Sequence, residues 1–545
     1  LIPPSFCCHQ STQAADEIFI IFSSYGDEIF VKSGTDDPRF SLKSKLGKDT
    51  VMGVKTRYKM LIDGQWVDAA DGRVFDSVNP ATGEAWAEIP EATEADVNRA
   101  VEAAHRAFMT GEWAAALPTA RGKYLRRLAD LLADKSEHLG RTETIDTGKM
   151  LKETRWQAKY IAEFFHYYAG CADKIQGATL PIDKPDMIAM TLREPLGVVA
   201  AVVPWNSQLF LTAVKLGPAL AAGNTVVLKA SEHASAPMLE FGRLIEEAGF
   251  PPGVVNIVTG HGDPCGRVLT SHPLVQRVSF TGGPESARHV IHNSAHNFAQ
   301  TSLELGGKSP FIVFEDADLE SAVNGSIAGI FGASGQSCVA GSRLYLQDSI
   351  ADAFLETMVG RAKAIRIGDP LEEETQMGPL ATQGQIDRIE KEVAFAIQEG
   401  GQVLAGGRRP SGHNQGLFYE PTIIACPSQK LRIVDTELFG PVLSVLRFKT
   451  EEEVIGLAND TKYGLAAGIF TKNSARSLRV AKAVRAGIVW INTYRAVSPI
   501  AEFGGYKDSG YGRESGLQAI TDYTRPKTVW INTSDAPMAN PFVMR

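Results

Sequence analysis

Between residues 197 and 283 the chain alternates short, wholly apolar runs with longer amphipathic ones. "GVVAAVVPWN" (197–206), "NTVVLKASE" (224–232), "GVVNIVTG" (253–260) and "VQRVSFTGG" (275–283) read as buried strands, and segments over 209–222 and 235–248 between them read as helices. Strands that are apolar on both faces, spaced by helices, predict a parallel sheet covered on both sides. The alternation resumes at "SPFIVFEDADLESAV" (309–323) and runs through "GSRLYLQDSI", "PVLSVLRF" and "AGIVWIN", predicting a second α/β domain.

Upstream, "YKMLIDGQWVDAADGRVFDSVNPATGE" (58–84) predicts short strands broken at D-G and N-P turns. "TEADVNRAVEAAHRAF" (93–108) predicts a helix capped by Thr93, with Asp96 completing the box, and a long helical stretch follows over roughly 119–170. "GATLPIDKPDMIAMTLREP" (177–195) reads as a hairpin, and the distant "KTVWINT" (527–533) as a strand that joins it. Neither piece has a core of its own, which suggests a small β element used for subunit contact in a homodimer or homotetramer.

Composition narrows the class. A chain of 545 residues predicts two or three domains, and 44% hydrophobic with 22% charged residues is ordinary for a globular protein. The net charge of -8 argues against nucleic acid or an anionic membrane as partner, because both reward a basic face. No apolar run reaches the ~18 residues of a membrane span. The six cysteines (Cys7, Cys8, Cys171, Cys265, Cys338 and Cys426) show no C-x-x-C spacing and form no disulfide framework, which fits a reducing, cytoplasmic setting. Residues 1–55 begin at Leu1 and match no leader pattern; they read as a poorly ordered extension, with Met52 or Met60 a more natural start.

Chemistry enters at the strand ends, where an open parallel sheet binds its ligands. Asn206 ends "VVPWN", Lys229 and Glu232 end "LKASE", Gly262 and Gly266 stand in the turn "GHGDPCG", and Gly282–Gly283 end "FTGG". Glu304 in "LELGGKSP" is a carboxylate in an apolar, tightly turning setting, which raises its pKa and suits a general base. Cys338 lies in "FGASGQSCVAGSR" (331–343), a run of small residues that leaves room for close approach to a thiol. His289, His292 and His296 share a helical face without Asp, Glu or Cys beside them, so they read as exposed surface and no metal site is expected.

Together, "PWN", "LKASE", "PPGVVNIV", "FTGG", "LELGGKSP", "GQSC" with "AGSR", "ELFGPV" and "FGGYKDSGYGRE" make residues 58–533 resemble the aldehyde dehydrogenase superfamily. The resemblance implies two parallel-sheet α/β domains plus a small β oligomerisation element. It divides the chain into an NAD-binding Rossmann-like domain (56–174 and 197–306), a catalytic domain (307–508) and the oligomerisation element (175–196 and 524–545). It implies that Cys338 attacks an aldehyde, that Asn206 and the Cys338 N–H hold the oxyanion, and that Glu304 activates the water that releases the acid. Lys229 and Glu232 would hold the adenosine ribose, the carboxylate favouring NAD with NADP as the alternative. Gly282 and Gly283 would face the pyrophosphate, Glu437 and Phe439 the nicotinamide riboside, with Val203, Trp205, Gly262, Gly266 and Gln385 as further cofactor contacts.

The substrate tunnel is where the chain departs from the family pattern. Ser207 and Val214 stand where the family carries aromatics, Leu211 lies between them, and Arg495 and Val497 fall on the expected tunnel wall. A wider, more polar tunnel beside a cation points to a bulky, polar or carboxylate-bearing aldehyde. Two alternatives remain: acyl transfer to coenzyme A, which Glu304 argues against, and a catalytically silent protein of this fold, which the presence of both Cys338 and Glu304 argues against.

Overall fold

The structure is a computed structural model; it describes residues 55–543 apart from 414 and 539, together with the backbone of Phe19–Ile21 and Phe30–Lys32, which pair antiparallel. The expected extension over 1–55 otherwise lies outside the described residues. From Lys55 onward the chain forms one unit with two large sheets and two of three strands each, one of them Thr56–Arg57, Ala85–Pro90 and Val74–Val78.

The first sheet has eight strands, in the order Gly510–Tyr511, Gln300–Glu304, Val275–Thr281, Val198–Val202, Thr225–Lys229, Val255–Val258, Met60–Ile62 and Gln65–Val67. Its five central strands are parallel, and the outer ones are antiparallel to their neighbours. The parallel prediction therefore holds for the centre, while both margins are antiparallel. The Met60–Val67 hairpin turns on Asp63 and Gly64, both at positive φ (55° and 72°), the backbone a two-residue D-G turn requires.

The second sheet has seven strands, parallel except where Gln402–Ala405 meets Thr422–Ala425. A third, antiparallel sheet pairs Thr524–Asn532 with Met187–Pro195 along nine registered positions, with Thr179–Leu180 on the other side. Ile188, Leu192, Trp530 and Ile531 are exposed on it. Among the described residues no helix is long and apolar enough to cross a membrane.

Helix Glu94–Met109 carries the predicted capping box, Thr93 and Asp96 bonding each other's backbone N–H. The long helical stretch resolves into Pro118–Asp134, Ser136–Thr147 and Leu151–Cys171. Gly148, at φ 76°, ends the second of these in a left-handed cap and turns the chain before the third.

Candidate active site

Register places the site. Val202 stands opposite Lys229 and Phe280, Lys229 opposite Val258, and Thr281 opposite Glu304. The five parallel strands thus stop at one level, and the turns that leave them, carrying Asn206, Glu232, Gly262, Gly283 and Gly307, open on one rim. The strand order reverses direction at Val198–Val202, the crevice where open α/β sheets bind ligands.

The cysteine loop is brought to that rim by the second sheet, between helix Leu319–Phe331 and strand Arg343–Gln347. Ala333, Ser334 and Gly335 run consecutively at positive φ (52°, 54° and 74°), a conformation costing about 1–2 kcal/mol for each non-glycine residue. Packing holds it there: Ser334 donates to the Gly378 carbonyl (2.8 Å), and Gln336 Oε1 accepts from Ala381 N (2.8 Å). The glycines of this run make room for the protein itself. A Cβ on Gly335 would meet the Gly440 carbonyl at 2.2 Å, one on Gly332 would meet Arg495 Nη1 at 2.5 Å, and Gly329 and Gly341 lie against Tyr494. Cys338 itself remains half-buried, and Cys171, Cys265 and Cys426 are buried.

Two of the turns at the rim of the first sheet touch this loop. Asn206 Nδ2 donates to the Gln336 carbonyl (3.0 Å), which leaves its second amide proton free. Gly307 lies so close beneath the loop that a Cβ there would stand 2.8 Å from the Cys338 carbonyl oxygen. Burial, followed by the nearby Glu437 and Glu304 carboxylates, pushes the Cys338 thiol up to about 12, against the opposing pull of Arg495. Burial and then Glu514 hold the Glu304 carboxyl well above the usual carboxylate range, against Lys215 and Arg513. Neither Glu304 oxygen closes a well-formed hydrogen bond with a described residue, although the Gly505 N–H lies near enough to pull the carboxyl down slightly.

Lys215 and Glu514 form a buried ion pair, and Lys215 Nζ also donates to Thr281 Oγ1 (2.8 Å). Neither residue stands in a motif that marks it for a role in the sequence. A signal was present, because Lys215 is a single cation in the apolar helix Gln208–Ala222.

The remaining expected residues distribute as follows. Lys229 and Glu232 pair at 3.6 Å; burial pushes Glu232 up, but Lys229 and its neighbours bring it below its ordinary value. Val203 N donates to the Lys229 carbonyl. Gly262 and Gly266 bound a single turn with buried Cys265 inside it. Gly283 caps helix Pro284–Ser294 without a side-chain bond, so the first-turn N–H groups stay available to an anion, and no atom lies within 4 Å of a Cβ built there. Glu437 accepts from Gly307 N (2.9 Å) and lies against Gly306. Phe439, at φ 56°, meets Trp205 edge to face at 5.4 Å. Gln385 donates to the Phe439 carbonyl (2.9 Å) while its Oε1 accepts from Thr382 N, so both ends of its amide serve the protein. An open rim with a bare helix N-terminus, a lysine–carboxylate pair and an aromatic edge fits a dinucleotide.

Of the residues expected to line a substrate tunnel, Ser207 and Leu211 are half-buried at helix Gln208–Ala222 and its cap, while Val214 is buried in the core. Arg495, at φ 60°, donates to the Ala328 carbonyl (3.2 Å) and lies 3.9 Å from Glu153. The Val497 carbonyl accepts from Tyr160 (2.9 Å).

A model of the aldehyde dehydrogenase family matches residues 66–529. The chain belongs to the aldehyde dehydrogenase family. It is 55% identical over 490 residues to the (Z)-2-((N-methylformamido)methylene)-5-hydroxybutyrolactone dehydrogenase of Acinetobacter baylyi, covering 90% of this chain and 100% of that one. It is 42% identical to the betaine aldehyde dehydrogenase of Bacillus subtilis, covering 88% of this chain and 98% of that protein. Its structure matches that of the NAD+ complex of an aldehyde dehydrogenase from Bacillus cereus with a TM-score of 0.86 at 40% identity, covering 88% and 97% of the two chains. As a member of the aldehyde dehydrogenase family, the protein is an oxidoreductase that acts on aldehyde groups with NAD(P) as acceptor.

Proposed function

We propose that this aldehyde dehydrogenase oxidises a bulky, polar or carboxylate-bearing aldehyde to the carboxylic acid, with NAD as the preferred acceptor, through a covalent intermediate on Cys338. The observation that carries the reading is the junction of Asn206, Gly307 and the Cys338 loop, which unites a thiol, an amide donor and the Glu304 segment. Cys338 Sγ, once deprotonated, adds to the aldehyde carbon. The oxygen that gains charge is held by the free Asn206 amide proton and by the Cys338 N–H; removing one such donor costs about 3–4 kcal/mol of barrier. Bound NAD(P) supplies the hydride acceptor. The thioester left on Cys338 is then hydrolysed, Glu304 taking the proton of the attacking water. Its two oxygens support that role, since neither has to give up a firm protein partner first. Lys229 and Glu232 would hold the adenosine ribose, and a carboxylate there disfavours a 2′-phosphate.

Ser207 in place of an aromatic removes bulk from the tunnel. A 5-hydroxybutyrolactone, the substrate class in the name of the Acinetobacter relative, is the ring-closed form of a chain with an aldehyde at one end and a carboxylate at the other. The small β sheet, with exposed Trp530 and Ile531, would serve assembly into a homodimer or homotetramer.

The test follows NAD reduction with an ω-carboxylated aldehyde and a straight-chain alkyl aldehyde of equal length. The expected result is a higher kcat/KM for the carboxylated one, abolished by Cys338→Ser. Failure of every aldehyde to reduce NAD, with NAD binding intact, overturns the reading.

A further inference from the structure

Three glycines from three elements close on one aromatic ring. The Tyr494 ring lies between Gly329 in helix Leu319–Phe331 and Gly468 in strand Ala466–Phe470, with its hydroxyl end against Gly341. A Cβ would stand 3.1 Å from the ring at Gly329, 2.7 Å from it at Gly468 and 3.2 Å from the hydroxyl oxygen at Gly341. None of the three is at positive φ, so the tyrosine, not the backbone, is what excludes a side chain there. Glycine inside a helix weakens it, and at Gly329 that cost makes room for the ring. Phe311 and Trp490 complete the cage, with ring centroids at 5.1 and 4.8 Å. The segment that carries Tyr494 is bracketed by Asn492 (φ 54°) and Arg495 (φ 60°), both in the left-handed region. Asn492 is secured there by both ends of its amide: Oδ1 accepts from Thr471 N (3.0 Å) and Nδ2 donates to the Thr471 carbonyl (3.0 Å).

The polar atom of this ring is aimed at the cysteine loop. The Tyr494 hydroxyl donates to the Val339 carbonyl (2.8 Å). Burial holds the phenol above its ordinary range, against the lesser pull of Ser309 and Arg495, so it keeps the proton it donates. Cys338 and Val339 fill the two central positions of a turn, which Ala340 N closes on the Ser337 carbonyl (3.0 Å). Asn206 holds the entry to this turn at the Gln336 carbonyl, and Tyr494 holds its exit at Val339. The Val339 N–H in turn lies against the sulfur and pulls the thiol down. That N–H and the Val339 carbonyl are separated by two backbone dihedrals, which the closed turn restricts, so fixing one fixes the other.

We propose that Tyr494 is a positioning residue for the nucleophile: by holding the Val339 carbonyl, it keeps the Val339 N–H directed at Cys338 Sγ. A donor on the sulfur stabilises the anion that attacks the aldehyde. Tyr494 acts in this role through the loop, not on the substrate. Removing its hydroxyl leaves in the chain the charges that bear on the sulfur, Glu437, Glu304 and Arg495. The inference rests on the reading of Cys338 as nucleophile and adds what orders it.

The test measures the rate at which iodoacetamide alkylates Cys338 in the full chain at pH 8, read by mass spectrometry of the peptide that contains it. Tyr494→Phe keeps the ring and is expected to slow alkylation about fivefold, the worth of one hydrogen bond. It should lower kcat/KM by a similar factor for alkyl and carboxylated aldehydes alike. Phe470→Leu, which loosens the core at the ring stacked on Phe311 (4.8 Å), is expected to lower the thermal midpoint and leave alkylation at the wild-type rate. Wild-type alkylation in Tyr494→Phe overturns the proposal. So does an equal slowing in Phe470→Leu, which would make the rate a measure of stability alone, or a loss confined to one aldehyde, which would make Tyr494 a substrate contact. Activity surviving in Cys338→Ser overturns the nucleophile reading itself, a result independent of Tyr494.

Discussion

Glu304 and Glu437 are both buried carboxylates on the rim, both raised above their ordinary values chiefly by burial, and they are held in opposite ways. Glu437 accepts from Gly307 N and fills the space that a side chain on Gly306 would take. Glu304 has no well-formed hydrogen bond among the described residues, only the nearby Gly505 N–H, and is poised between Glu514 on one side and Lys215 and Arg513 on the other. A buried acceptor that is left unmatched costs stability, so it persists where reaction chemistry uses it. The contrast separates a carboxylate that shapes the backbone from one left without a firm partner, as the proposed role of general base requires.

The sharpest way to break that contrast is Glu304→Gln. Steady-state turnover is expected to fall about 10²–10⁴-fold while a first burst of NADH survives, because only the hydrolytic half-reaction needs the base. Rapid-mixing absorbance measures both phases, and disappearance of the burst contradicts the assignment. Next in size is Lys215→Met, which strands Glu514 beside Glu304 and is expected to cost about 3–5 kcal/mol in chemical denaturation. Adding Glu514→Gln to it should recover part of that loss.

The pH profile follows from sign. In the proposed mechanism Glu304 and Cys338 both act without their protons; burial pushes both upward, Cys338 to about 12, so the thiol is protonated at neutral pH and each group needs a higher pH than usual to lose its proton. Turnover should therefore climb as pH rises above neutrality; a flat or falling profile would contradict the environments described here. Glu437→Leu is expected to cost about 1–3 kcal/mol, since it leaves Gly307 N buried and unpaired, whereas Glu437→Gln keeps an acceptor and should cost less. Smallest is Arg495→Ala, expected to raise KM for carboxylated aldehydes more than for alkyl ones, by an amount that Glu153 pairing keeps modest.

What the sequence revealed and what it concealed divide along the same line. The strand-end turns were legible because each is a local pattern: an apolar run, a turn residue, an amphipathic helix. Thr93 and Asp96 announced a cap for the same reason. The partners of Glu304 were not legible, because Lys215 and Glu514 meet across 299 residues. Nor was the contact of Lys149 Nζ with Ser207 Oγ, which joins the turn before helix Leu151–Cys171 to the residue after Asn206. The small residues around Cys338 were visible as a group, yet their purpose was not. They accommodate Tyr494, Arg495 and the Gly440 backbone, and only the packed structure shows what fills the space.

The order in which the chain emerges during synthesis gives the late strands a further significance. Gly510–Tyr511 closes the margin beside Gln300–Glu304, Glu514 meets Lys215, and Thr524–Asn532 pairs along the full length of Met187–Pro195. The first sheet therefore stays unfinished at one edge until residues 510–532 have been added. A nascent chain arrested before them would carry its thiol and its rim yet leave the basic side chain of Lys215 without its counterion.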